Sequence, residues 1–196
     1  MKEDILEQVI AEYLNVLGYF TLANVKFKPK LGCAGHDPQQ DSVSSDIDII
    51  GYSPGRSGPA RVVAVSCKSW QAGFWPQWEL DYIRKDRSYA GRKRWKSFRE
   101  LVNDKWARAF KQRIRELTGV SVFEYWTACL FTGDEDEKVL WTENMEFKRR
   151  LTPHLRLITL HDMFIEISKR LTTTPAGSEV GRLIQVMKAA RIEIRA

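Results

Sequence analysis

Between Asp4 and Leu17 the apolar residues Leu6, Val9, Ile10, Tyr13, Leu14 and Leu17 recur at three- and four-residue intervals, and Gly18 follows. That spacing predicts an amphipathic helix with a glycine stop. Residues 19–27 then alternate loosely, as a strand does, and 28–45, rich in Gly, Pro, Gln and Ser, read as a loop. Residues 46–52 and 61–68 read as two strands of a hairpin across Ser53-Pro-Gly-Arg-Ser-Gly-Pro59. Residues 71–78 are aromatic and irregular, and 79–117 follow a helical pattern broken near Gly91 and ended by Thr118-Gly119. A near-continuous apolar run at 122–131 suits a buried strand. An acidic turn at 133–138, a short segment at 139–141 and a brief helix at 143–150 come next. A strand at 155–160, a helix at 161–171, a linker at 172–177 and a last helix at 179–190 complete the chain. The order α-β-β-β-α-β-α-β-α predicts an α/β fold, a mixed sheet flanked by helices. Residues 1–171 form the expected domain, including the basic helical region 79–117, with 172–196 as linker and C-terminal helix.

A chain of 196 residues is long enough to bury one proper core. It has no apolar run near the roughly 20 residues that span a bilayer, so no membrane partner is expected. The first residues enter the helical pattern without a secretory apolar segment, and the three cysteines have no framework spacing. Both features point to reduced thiols in a cytoplasmic protein. Charge changes the picture more. From Arg84 to Arg115 there are thirteen Lys or Arg against three acids, whereas the whole chain carries only +6. The remainder is therefore net acidic, and the basic block suggests a polyanion partner as much as a solvated helix face. Arg92, Lys93, Arg94, Lys96 and Arg99 suit phosphate contacts, though nothing there reads base sequence. In Trp70-Gln-Ala-Gly-Phe-Trp75-Pro-Gln-Trp78 most aromatics are expected in the core, with Trp75 the one to emerge and stack on bases.

The candidate chemistry lies in the hairpin. Strand alternation puts Asp46, Asp48 and Ile50 on one face and Ile47, Ile49 and Gly51 on the other. On the second strand Val62, Ala64, Ser66 and Lys68 share a face. Pairing would bring Asp48 near Ser66 and Lys68, a carboxylate and an ammonium at the edge of an apolar sheet. Such a pair is either a surface ion pair or a cation-and-proton site. On the first helix Glu7 lies on a ridge with Ile10 and Leu14, bordering the apolar stripe and able to lean toward the sheet.

These residues resemble the core of the PD-(D/E)XK nuclease superfamily, including its Holliday-junction-resolvase and Mrr-like members. Glu7 precedes Gly18-Tyr19 by eleven residues, the family's interval from a first-helix glutamate to a Gly-aromatic pair. Asp48-Ile-Ile-Gly51 resembles the segment that opens with the family's metal-binding aspartate. Lys68 matches the lysine of (D/E)-x-K, and Ser66 stands where its acid is expected. The resemblance covers residues 3–70 and, more loosely, the strand and helix to Leu171. It implies a restriction-endonuclease-like sheet and a Mg²⁺-dependent endonuclease, Mn²⁺ substituting, that cuts DNA rather than RNA in restriction, defence or repair. Glu7 and Asp48 would hold metal and Lys68 would position the water. A monomer, a homodimer or a larger assembly would each be compatible with it.

Ser66 departs from the pattern, because a hydroxyl is a poor Mg²⁺ ligand beside a carboxylate. Asp46, Glu79 or Asp81 could supply the missing acid, or Glu7 and Asp48 could suffice with waters. Otherwise the chain is a catalytically inactive nucleic-acid-binding or assembly module, or a scaffold whose Trp-rich segment docks a protein. Cys33-Ala-Gly-His36 lacks the second pair of a zinc site and reads as loop. His161-Asp162 reads as a helix start.

Overall fold

The computed structural model describes residues 4–172, 174 and 176–192. The chain runs α1 (Ile5–Val16), β1 (Phe20–Phe27), α2 (Pro38–Asp41), β2 (Ser45–Tyr52) and β3 (Val62–Lys68). It continues through α3 (Pro76–Arg84), β4 (Ser88–Tyr89), β5 (Arg92–Lys93), α4 (Arg99–Val102), α5 (Asp104–Thr118) and β6 (Glu124–Cys129). It ends with α6 (Glu135–Thr142), α7 (Met145–Arg150), β7 (Leu155–Thr159), α8 (Leu160–Arg170) and α9 (Glu179–Ala189). The fold is α/β, as the element order predicts: a five-stranded mixed sheet flanked by helices. Strand order is β1-β2-β3-β6-β7, antiparallel from β1 to β3 and parallel from β3 to β7. Among the described residues no helix is long and apolar enough to cross a membrane.

Each face of the sheet has its own core. On one, Ile50, Val62, Ala64 and Tyr125 pack against Leu80 of α3, Leu101 of α4, Trp106 and Phe110 of α5, and Trp141 of α6. On the other, Val63, Val65 and Trp126 meet Leu6, Ile10 and Leu14 of α1, Met163 of α8 and Ile184 of α9. The segment read as an appended helix thus returns to the sheet, with Ile184 buried against α1 and α8. Burying large aromatic and branched residues on both sides of β3 and β6 removes most apolar area from water at the centre of the sheet.

Three stretches depart from the sequence reading. The helical pattern over 79–117 does break at Gly91, as expected, but into α3, a β4–β5 hairpin, a 3-10 turn at Arg94–Ser97, then α4 and α5. Ala90 and Gly91, at φ 48° and 75°, make the two-residue turn that breaks it, and the Asn103 side chain caps α5 by accepting from the Lys105 N–H. The acidic turn at 133–138 is the start of α6, because the Asp134 side chain caps it and Glu135, Asp136 and Glu137 oppose the positive end of its dipole. The 28–45 loop contains α2, pinned where Asp41 pairs with Lys105 and accepts from the Trp106 indole.

Strand alternation also breaks, and it does so at Asp48. Ile47 and Ile50 belong to the core under α3–α7, whereas Ile49 belongs to the core under α1. The expectation that Asp46, Asp48 and Ile50 share one face is corrected accordingly. Across the ladder, Val25 pairs with Ile47 and Ala23 with Ile49, leaving Asn24 opposite Asp48 with a left-handed φ of 56°. The break in β2 alternation thus falls level with a left-handed residue in the neighbouring β1.

Candidate active site

The β2–β3 ladder runs from Tyr52↔Val62 to Ile49↔Val65 and stops there. Next in line would be Asp48, whose carboxylate instead accepts the Cys67 backbone N–H at 2.6 Å. The side chain thereby replaces a backbone partner and is drawn in against the end of β3. Here the sheet also changes from antiparallel to parallel pairing, the kind of crevice beyond strand carboxyl ends where α/β sheets place ligands.

Lys68 and Ser66 meet as the shared-face reading expects: the Lys68 Nζ donates to the Ser66 Oγ at 2.8 Å, and both residues are buried. The ammonium lies 5.0 Å from the centre of the Phe98 ring. Two residues further along, on α4, is Glu100, an acid the sequence reading did not single out. Its Oε1 accepts the Tyr125 phenol at 2.6 Å, and Glu100 itself is only 5% exposed. Ser66 pulls the same phenol down, so the Lys68–Ser66 pair and the Tyr125–Glu100 pair are two buried polar contacts that lie close together on β3 and β6. Burial, the Glu100 charge and its hydrogen bond push the Tyr125 hydroxyl well above the ordinary range, keeping it a donor. The only sequence signal for Glu100 was a lone acid between core residues Phe98 and Leu101 within a basic run.

Burial also pushes the Asp48 carboxyl above the usual carboxylate range. Lys68 and the Cys67 N–H pull it down, while Glu100 and Asp46 push it up. A carboxyl whose pKa is raised by folding stabilises the fold fully below its unfolded value and loses that contribution as pH rises through the folded value. Asp48→Asn keeps an acceptor for Cys67 and removes the charge. The variant is expected to melt higher than wild type near pH 7–8, with the gap closing as pH falls toward about 4, the ordinary aspartate range, and gone below it. Thermal melts across that interval check it; an unchanged gap at low pH would contradict the assigned cause.

Glu7 approaches from the other side of the sheet. The α1 N-cap Asp4 accepts from the Ser69 hydroxyl, which fastens the start of α1 to the end of β3. Burial, Asp48 and then Glu7 push the Cys67 thiol well above its ordinary range, so it stays neutral. Glu7 thus acts on the same Cys67 thiol as Asp48 does. The other suggested acids are engaged elsewhere. Asp46 pairs with Lys26 at 2.6 Å, Asp81 with Lys85 at 2.6 Å, and Glu79 is buried in a two-point pair with Arg94.

Of the residues expected to grip phosphate, Arg94 and Arg99 are each 8% exposed and so are not surface groups. Arg94 is held by Glu79, and Arg99 lies over the Trp106 ring at 4.4 Å. Lys93 pairs with Asp86; Arg92 is exposed and Lys96 half-buried. Trp75 emerges as expected, at 43% exposure.

Among the described residues no three His, Cys, Asp or Glu side chains converge as a metal cluster. Asp48 and Glu100 remain a pair of hard-oxygen donors, coupled closely enough that one charge moves the titration of the other. Mg²⁺ keeps several waters and is commonly held by one or two carboxylates plus substrate phosphate, so this donor set fits it. No protein-family model, curated protein or solved structure matches the chain.

Proposed function

We propose that this chain is a divalent-metal-dependent DNA endonuclease of PD-(D/E)XK type in which Glu100 takes the part of the acid absent at Ser66. The observation that supports the reading best is that Asp48 is drawn onto the Cys67 N–H at the end of β3, beside the buried Lys68–Ser66 pair, with Glu100 held by Tyr125 of the neighbouring β6. Asp48 and Glu100 would hold Mg²⁺ or Mn²⁺, with Glu7 acting from the α1 side. When bound, the cation would supply positive charge opposite the scissile phosphate. One of the three Lys68 ammonium protons is taken by Ser66, leaving the others to orient a water or a phosphate oxygen. The buried Asp48 carboxyl holds its proton to higher pH than usual, so cation affinity should rise as pH rises through that range.

Incubation of supercoiled and linear DNA with Mg²⁺ or Mn²⁺ tests the reading. Asp48→Ala and Lys68→Ala are each expected to lose cleavage while giving the circular dichroism spectrum of wild type. Full cleavage by both variants would sink it. The second reading, a catalytically silent DNA-binding module, draws on the lack of a three-ligand cluster among the described residues. Salt-sensitive DNA binding that Asp48→Ala leaves intact, with no nicking by wild type in either metal, would favour it.

A further inference from the structure

Directly after Lys68 the chain passes Trp70, turns through Gly73, and enters α3, while the β4–β5 hairpin arches back above it. Between them lies a cleft of about 680 Å³ walled by Trp70, Trp75, Trp78 and Tyr89, with Arg92 and Arg94 also lining it. We propose that this cleft takes an unpaired nucleobase, one bulged or turned out of the DNA strand bound at the Asp48–Lys68 site. The proposal rests on the nuclease reading for its choice of polymer.

The cleft falls within the range of about 300–1,000 Å³ typical of small-ligand sites. Its rings are exposed yet held in place. Trp75 is 43% exposed, Trp78 36% and Tyr89 53%. The Trp75 indole donates to the Ala72 carbonyl at 2.7 Å and sits edge-on to Phe131. Trp78 stacks on Tyr82 with centroids 3.8 Å apart and meets Tyr89 edge-on at 5.5 Å. Flat faces fixed by their own neighbours are stacking platforms that need no reordering when a base arrives.

The charges select the kind of flat ligand. Below the rings, the Arg94 guanidinium lies 3.8 Å over Trp70, held there by Glu79, the acid that lines the cleft. That acid is already matched, so the balance belongs to the cations. Tyr89 pairs with Arg92 across the β4–β5 ribbon, which puts an exposed guanidinium beside an exposed ring. A nucleotide presents that pairing of groups, a π face with a phosphate beside it. The cleft also adjoins the candidate active site: its wall residue Trp70 meets Phe98 edge-on at 6.0 Å, and the Lys68 ammonium lies 5.0 Å from the centre of that same Phe98 ring. A base inside a paired duplex cannot offer its face to such a cleft, so the occupant must be unpaired or extruded.

The full chain is titrated in EDTA, where no cleavage occurs, against a fully paired duplex and against the same duplex with one bulged 2-aminopurine. Anisotropy reads affinity, and 2-aminopurine fluorescence reads stacking. The bulged duplex is expected to bind about tenfold tighter, with its fluorescence altered on binding. Trp75→Ala and Tyr89→Ala should each erase that preference while leaving paired-duplex affinity within about twofold, as expected of groups that touch the base alone. Equal affinity for the two duplexes, or a preference that survives both substitutions, overturns the proposal. So does saturable binding of a proline-rich peptide in place of the bulge, which would make the cleft a protein site. Cleavage of paired DNA in Mg²⁺ is followed in parallel. Cleavage without bulge preference defeats the cleft proposal alone; bulge preference without cleavage defeats the nuclease reading alone.

Discussion

On the nuclease reading, Glu100→Gln is expected to slow Mg²⁺-dependent DNA cleavage on the order of a hundredfold or more, the scale set by losing one electrostatic stabiliser at a reacting centre. Ser66→Ala, at the position where an acid is expected, should stay within about tenfold of wild type, because losing one neutral contact to Lys68 has the cost of an ordinary hydrogen bond. The contrast matters more than either value. Glutamine still accepts from the Tyr125 phenol, and the Lys68–Ser66 hydrogen bond is untouched, so both contacts survive while the charge is lost. A variant with normal folding and full cleavage would move the second acid back to Glu7 or Asp46. Single-turnover cleavage rates, measured with melts of each variant, separate loss of chemistry from loss of fold.

The second large effect concerns stability. Glu79→Ala leaves the Arg94 guanidinium buried without its counter-ion, at 10% side-chain exposure, over Trp70. Breaking a buried pair from one side costs about 3–5 kcal/mol. Urea denaturation should therefore show a large drop in midpoint. The double variant Glu79→Leu with Arg94→Met, which removes both charges and keeps apolar bulk, should recover most of the loss. A drop of under about 1 kcal/mol in the single variant, the level of an exposed pair, would mean that water reaches Arg94. Glu79 then serves the wall of the aromatic cleft, and not the cation site for which its position after Lys68 had suggested it.

The strands and first helix were legible because one periodicity governs each. Leu6, Ile10 and Leu14 repeat at helical spacing and all three are buried, while the apolar run at 122–131 contains β6 with Tyr125 and Trp126 inside. Residues 79–117 misled because Lys and Arg are good helix formers, and their density hid the local cues. Gly91 was legible as a break, but the hairpin around it and the Asn103 cap were not. Asp48 and Lys68 stood out as polar residues within apolar strands, and the structure places Asp48 against the end of β3, where Lys68 lies. Glu100 did not stand out. Its partner Tyr125 is 25 residues away on another strand, and its own helix is four residues long, so no local period points at the site. Arg94 and Arg99 were read as surface charges for a related reason: what buries them is an acid and several rings brought in from elsewhere in the fold.

The chain path also gives the site an order of assembly. Strands β1, β2 and β3 are joined by antiparallel pairing of sequence neighbours, and α1 closes on them from just upstream, so Asp48 and Lys68 can meet through short-range contacts. Glu100 lies inside the long crossover between β3 and β6 and gains its Tyr125 partner only when that crossover has closed on the sheet. Such non-local parallel pairing is the slow part of folding. A chain still emerging, or one unfolded beyond β3, would carry half of the carboxylate pair and little grip on a cation. On the nuclease reading, it could not nick DNA until the last parallel strands had docked.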